Sequence, residues 1–184
     1  DGHYVQADGG ISEGPFYYGF ALSATLPTLI AADRLGRTQF ERDCINRSDA
    51  DPWAGHGCID GEAFIFDNPL TNGQLASTVD WSISLRLPSG QRPPLGDAYM
   101  NPLNGGALMS SFAEGGHYRW DWEDNAERPV ETGHGMDLTL HHLRYVDAVT
   151  EAAPPPWTSQ ILTDAGDAIL RSGWDADARW LLLV

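Results

Sequence analysis

The apolar positions of the chain divide it into a long helical stretch and a short strand-like end. Residues 15 to 35, PFYYGFALSATLPTLIAADRL, carry the longest apolar segment. Its length and patterning predict a helix. Ser12 suits the N-cap, with Glu13 in the first turn, and Gly36 suits the position just past the last turn. Pro27 falls inside and predicts a kink. Apolar residues cover most of the helix circumference, which predicts burial on more than one side.

Residues 37 to 70 read as irregular, with one short apolar stretch at Ala63 to Phe66. Thr71 and Gln74 have the spacing of a capping box ahead of LASTVDWSISLRL. Val79, Trp81, Ile83, Leu85 and Leu87 alternate as in a strand, but the cap favours a helix that ends before Pro88-Ser89-Gly90. Residues 88 to 106 form a Gly/Pro/Asn loop, and Leu108 to Phe112 is the start of a short helix. Residues 115 to 135 are rich in aromatic and charged side chains and read as a loop around Trp120 and Trp122. Another helix is expected from about Met136 to Val149. Glu151 to Pro156 is a stiff proline linker. Residues 166 to 184 read as two short strands around a Gly/Asp turn. The order is helices, linker, strands: a helical portion over residues 1–153, then a linker and the opening strands of a β domain over 154–184. Both ends start or stop abruptly, and a two-stranded element needs a covering layer. We therefore expect a piece of a larger protein.

Composition narrows the function. The formal charge is −15, opposite to that of a nucleic-acid binder and unsuited to an anionic membrane. No apolar run is long enough to span a bilayer. A secreted or periplasmic protein is the expected setting. Cys44 and Cys58 flank the polar loop CINRSDADPWAGHGC. In an oxidising compartment a bridge there would be worth about 3 kcal/mol; two reduced thiols are the other reading. The pair fits no metal or redox motif.

Candidate chemistry is concentrated in a few places. Glu13, Tyr17 and Tyr18 follow a Gly-Gly turn at the mouth of the long helix, where phenols can face a cavity and move protons. Adjacent helical residues point about 100° apart, so one of the two phenols should line a cleft while the other packs. His134, in a Gly-His-Gly turn, suits substrate contact or proton handling. His134, His141 and His142 lack metal-ligand spacing, and no metal is expected. Asp49, Asp51, Asp60 and Glu62 do not have the spacing of a calcium loop and read as a solvated acidic loop. Trp120 and Trp122 offer flat surfaces for sugar rings, and Arg119 offers a partner for a carboxylate or sulfate.

Three stretches together resemble heparinase II/III-like polysaccharide lyases. DGGISEGPFYYGFALSATLPTLIAADRLG, at residues 8–36, is similar to the Asp-Gly-Gly turn, Glu-Gly-Pro and Tyr that open a helix of the family's (α/α) toroid. LPSGQRPPLGDAY, at 87–99, resembles a loop after a late toroid helix. ILRSGWDADARWLLL, at 169–183, resembles the first strands of the following β domain.

The resemblance implies a mainly α fold: part of an (α/α) toroid followed by the first strands of an antiparallel β-sandwich. It implies β-elimination on an acidic polysaccharide or oligosaccharide, without a cofactor. A base removes the C5 proton of a uronate, the C4 oxygen leaves, and donors stabilise the developing enediolate. The family tyrosine falls on Tyr17 in the Glu-Gly-Pro form of the motif and on Tyr18 in the Glu-x-Ser-Pro form. Glu13 matches the family glutamate. The family's Gly-His-Gly-His-Ala-Asp segment and its upstream Asn or Asn-His do not occur here, so the remainder of a parent chain is an expected partner. The charge of −15 opposes encounter with a polyanion, so Arg119 and other local arginines would have to offset it. A non-catalytic carbohydrate-binding module, or a glycoside hydrolase on a helical toroid, is the alternative.

Overall fold

A computed structural model describes residues 5–42, 64–96, 109–110, 112–126 and 150–184. The expectations for Cys44 and Cys58, the acidic loop, His134, and the helix from Met136 to Val149 lie outside these residues. Among the described residues the chain forms α1 (Gly14–Arg34), β1 (Gln39–Arg42), β2 (Phe64–Asp67), α2 (Gln74–Ser84), α3 (Gly116–Ala126), β3 (Gln160–Leu162), β4 (Asp167–Arg171) and β5 (Trp180–Leu183). This is a mixed α/β arrangement with two small antiparallel sheets, β1-β2 and β3-β4-β5.

The helix expected over residues 15 to 35 is α1, which continues through Pro27. Its core stripe is Tyr18, Leu22, Leu26 and Ile30, the four-residue spacing of one helix face. Phe20, on another side, is 58% exposed, so among the described residues the apolar circumference is not fully covered. Ser12 does not cap the helix. Its hydroxyl accepts a bond from Gln6 Nε2 at 3.2 Å, and Glu13 occupies the N-cap without a side-chain bond. Gly36 follows the helix at φ 69°, the left-handed conformation expected of it.

The helix expected after Thr71 is α2, but the cap differs. Thr71 Oγ1 donates to Asn68 O at 3.2 Å. Asn72 Oδ1 receives Gln74 N–H at 2.9 Å, and Gly73, at φ 87°, is the N-cap. The stretch expected to be irregular contains β1 and β2, whose register pairs Gln39 with Asp67 and Phe40 with Phe66. The two phenyl rings stack at 5.3 Å. Trp120 and Trp122 lie on α3 rather than in a loop. That helix turns His117, Tyr118 and Asp121 inward, so polar residues hold positions where an apolar stripe would have revealed it.

The C-terminal strands form as expected, joined by β3. Asp167, Ile169 and Arg171 alternate along the inner face of β4 and are buried. The outer face carries the paired set Ile161, Ala168 and Leu183, and beside it Leu170 with Leu181. Ile161, Leu170, Leu181 and Leu183 are exposed. The outer face is therefore apolar, while the inner face sets Ile169 between Asp167 and Arg171 and packs on the helices.

Two polar devices fix the sheet to the helices. The first is the turn Asp8-Gly9-Gly10. Asp8 Oδ2 accepts from Asp164 N at 2.8 Å and Ala165 N at 3.1 Å, and Oδ1 accepts from Gly10 N at 3.3 Å. A side chain at Gly9 would start 2.2 Å from Ser77 O in α2, and one at Gly10 would start 2.4 Å from Ala165 Cβ. The turn is thus wedged between α2 and the β3–β4 turn.

The second device is a buried ionic network. Asp121, at 0% exposure, meets Arg86 Nε at 3.3 Å and Arg92 Nη2 at 2.8 Å. Arg86 also pairs with Asp124. Arg92 donates to Ser82 Oγ at 3.2 Å and Gly90 O at 3.1 Å. From β4, Arg171 Nη2 donates to Ser84 O at 2.9 Å and also to Arg86 O. The Arg86 guanidinium lies 4.4 Å over the Trp120 ring and that of Arg171 lies 3.6 Å over Trp174. Trp120 and Trp174 meet edge to face at 5.4 Å. Burial lowers the Arg86 pKa, and burial together with neighbouring Arg86 and Arg92 lowers that of Arg171 to about 10.

Two sets of substitutions test these devices by chemical denaturation. Gly9→Ala and Gly10→Ala each insert a methyl into packed atoms and should cost about 1–3 kcal/mol. Gly36→Ala, which meets nothing within 4 Å, should cost only the left-handed backbone penalty of about 1 kcal/mol. Equal losses at Gly10 and Gly36 would mean the turn is not wedged. Asp121→Ala strands buried cations and should cost about 3–5 kcal/mol. Glu123→Ala removes a partly exposed partner of Arg119 and should cost less than about 0.5 kcal/mol; similar losses would show that Asp121 is not the hub.

Candidate functional site

A cleft of about 270 Å³ opens where the Asp8-Gly9-Gly10 turn, α2 and the C-terminal sheet converge. Ile11, Ser12 and Gly14 come from the turn and the start of α1, and Trp81 comes from α2. Leu95 and Gly96 come from the loop after Arg92, and Ala165, Asp167 and Val184 come from the sheet and its turn. Gln6 closes one edge.

Asp167 is the notable group. It heads the inward alternation of β4 and is 5% exposed. Its Oδ2 accepts the indole N–H of Trp81 at 2.9 Å. Its Oδ1 has no hydrogen-bond partner among the described residues. Burial raises its pKa above the usual carboxylate range; the Trp81 bond opposes the rise and the nearby Asp8 charge adds to it. Among the described residues, no lysine, arginine or histidine lines the cleft.

The residues singled out from sequence fall into distinct places. Ser12 and Gly14 line the cleft on either side of Glu13, which stands exposed at the N-cap of α1. Tyr18 is 3% exposed, and its hydroxyl lies 2.6 Å from Thr78 Oγ1, with its ring edge-on to Trp81 at 6.0 Å. Tyr17 is 37% exposed and touches Phe16 edge to face at 5.4 Å. The two phenols thus diverge, one into the core and one toward solvent.

Arg119 is engaged within its own neighbourhood. Its Nε donates to Glu123 Oε1 at 2.6 Å and its Nη1 to Thr150 O at 2.8 Å. Trp120 lies between Arg86 and Trp174, while Trp122 is half-buried on the same helix. These three residues do not line the cleft.

A second polar group joins α2 to α3. Asp80 Oδ1 lies 2.9 Å from His117 Nε2, and the Asp80 charge acts on neighbouring Tyr118. The His117 ring sits 4.0 Å from that of Tyr118 and 5.0 Å from that of Trp157. Burial first, then the Asp80 charge, raises the Tyr118 pKa, so this phenol stays protonated as a donor. The carboxylate fixes the imidazole, but Trp157 covers the ring. Sequence reading missed both this group and Asp167. The signal for Asp167 was alternation: Asp167, Ile169 and Arg171 share one side of a strand whose middle member is apolar.

The carboxyl of Asp167 makes stability depend on pH in a defined direction. Its folded-state pKa is raised, so the fold binds the proton more tightly than the unfolded chain does. Stability from this group is full below the ordinary carboxylate pKa, about pH 4, and is lost as pH rises through the folded value. Asp167→Asn keeps an acceptor for Trp81 and removes the ionisation. It should be more stable than the wild type at neutral pH, with the difference closing below about pH 4. A difference independent of pH in thermal melts would contradict this assignment.

No protein-family model matches the chain, and no curated protein sequence matches it.

Proposed function

We propose that the chain is part of a uronate polysaccharide lyase of the heparinase II/III-like kind. In this reading α1 and α2 belong to an (α/α) toroid, and β3–β5 are the first strands of an antiparallel β-sandwich. One observation carries it. The two end segments that bear the resemblance come together beside a single cleft: Ser12 and Gly14 of the first line it, as do Asp167 and Val184, which stand just outside the second. The Asp-Gly-Gly turn that opens the resemblance is bound directly to the β3–β4 turn. The exposed apolar outer face of the sheet adds support, because such a face calls for a second layer.

Tyr17 is the phenol available for substrate, since the hydroxyl of Tyr18 is committed to Thr78 in the core. As general acid it would protonate the C4 leaving oxygen, with Glu13 one turn away on the chain. Quenching the uronate carboxylate must come from donors elsewhere in the complete enzyme. Trp122 and His134 remain candidates for sugar contact, and Arg119 can serve only by giving up Glu123 or Thr150. The expected setting remains secreted or periplasmic.

The test is ultraviolet absorbance of the unsaturated product when the full natural protein is incubated with a panel of uronate polymers. Tyr17→Phe should lose roughly 100-fold in turnover with an unchanged melting temperature. Tyr18→Phe should instead lose about 0.5–1.5 kcal/mol of stability and keep its turnover. Folded protein that gives no unsaturated product across the panel would contradict the lyase. Glycan binding alone would then indicate a carbohydrate-binding module, and new reducing ends without absorbance would indicate a hydrolase.

A further inference from the structure

We propose that the cleft at Asp167 binds a small ligand through a protonated amine, with Asp167 Oδ1 as its counter-ion. The inference does not depend on the lyase reading: it concerns the cleft at Asp167, whereas that reading gives the uronate to Tyr17, which does not line this cleft.

Three observations carry it. First, Asp167 is a nearly buried carboxyl that lines the cleft, and among the described residues only one of its oxygens is bonded to protein. That second oxygen is open to the cleft rather than sealed, so an ammonium can replace water there with a charge-assisted hydrogen bond. Second, among the described residues the lining holds no cationic side chain, and Asp8 adds a second negative charge nearby. A phosphate, a sulfate or a uronate carboxylate would be repelled; a cation would be drawn in, as it would by the chain's overall charge of −15. Third, the remaining lining is divided. Gln6 and Ser12 form a polar rim, while Ile11, Leu95, Ala165 and Val184 supply apolar walls for a short carbon frame. The volume of about 270 Å³ falls just below the roughly 300–1,000 Å³ of sites for drug-sized ligands. It suits one short alkylamine or one amino-sugar ring. These two sources share the ammonium group.

Binding has a built-in reporter, because the Trp81 indole N–H donates to the other oxygen of the same carboxyl. We would titrate the nitrogen-labelled chain with n-butylamine and with glucosamine. The Trp81 indole resonance, assigned with Trp81→Phe, would be followed by NMR, and affinity would be measured by calorimetry. The controls are n-butanol, N-acetylglucosamine and glucuronate. The expected result is a saturable shift of the Trp81 resonance with an amine and none with the controls. Asp167→Asn should weaken binding by about tenfold or more. Affinity should rise with pH as Asp167 ionises and then level while the amine stays protonated. A response to glucosamine alone identifies an amino sugar; an equal response to butylamine identifies a free amine.

The proposal is overturned if neither amine gives a saturable shift, or if butanol or N-acetylglucosamine binds as well as the amines. It is also overturned if Asp167→Asn binds as tightly as the wild type. Should that variant fail to fold, the wild-type pH series decides the matter: affinity independent of pH across the carboxyl's titration overturns it.

Discussion

The carboxylate of Asp121 is the constraint around which the rest is arranged. A charge with no exposure must be met on every open side, and here it is met by two arginines from one segment of chain. Arg86 follows the end of α2, and Arg92 lies beyond a tight loop. Holding both fixes the loop between them and the angle at which α3 lies on α2. The arginines in turn crowd Arg171, whose lowered pKa of about 10 reflects burial and two like charges. Flat indoles are suited to this position, since Trp120 and Trp174 cover guanidinium faces without asking for further hydrogen bonds. A buried ionic group of this kind favours one arrangement strongly over near alternatives, even where its net contribution to stability is small.

Strand β4 carries that constraint across to the cleft. Arg171 and Asp167 lie four residues apart on the same inward face, with Ile169 between them in the core. One end of the strand is tied to the ionic network, and the other presents a carboxyl to Trp81. The same indole packs against Tyr18 of α1. The cleft is therefore framed by side chains whose positions are set from three directions, which gives an open polar site rigid walls.

How far the sequence reveals this depends on where the signal is local. α1 is legible because its apolar run, Gly36 and the Glu-Gly-Pro start all act within a few residues. β4 and β5 are legible through alternation and the Gly/Asp turn. α3 is not, because its buried face is His117, Tyr118 and Asp121, and ionic burial leaves no apolar stripe. β1 and β2 are hidden for another reason: each is four residues long, and neither adjoins the other in sequence. In the cleft, Ser12 and Gly14 belong to a motif that stands out. Asp167 does not, since an aspartate beside a turn ordinarily reads as solvated. Tyr17 and Tyr18 are indistinguishable in sequence, and only the presence of Thr78 opposite one of them separates their roles.

The bond between Asp8 and the backbone of Asp164 spans 156 residues. Closing so large a loop delays a contact relative to the local helices. The Asp-Gly-Gly turn must therefore wait for the residues around Asp164 before its acceptors meet their donors. The cleft is thus among the last features to form. A chain held short of that step would keep its long helix while lacking the cleft, so the turn couples the cleft's assembly to the arrival of the β3–β4 turn.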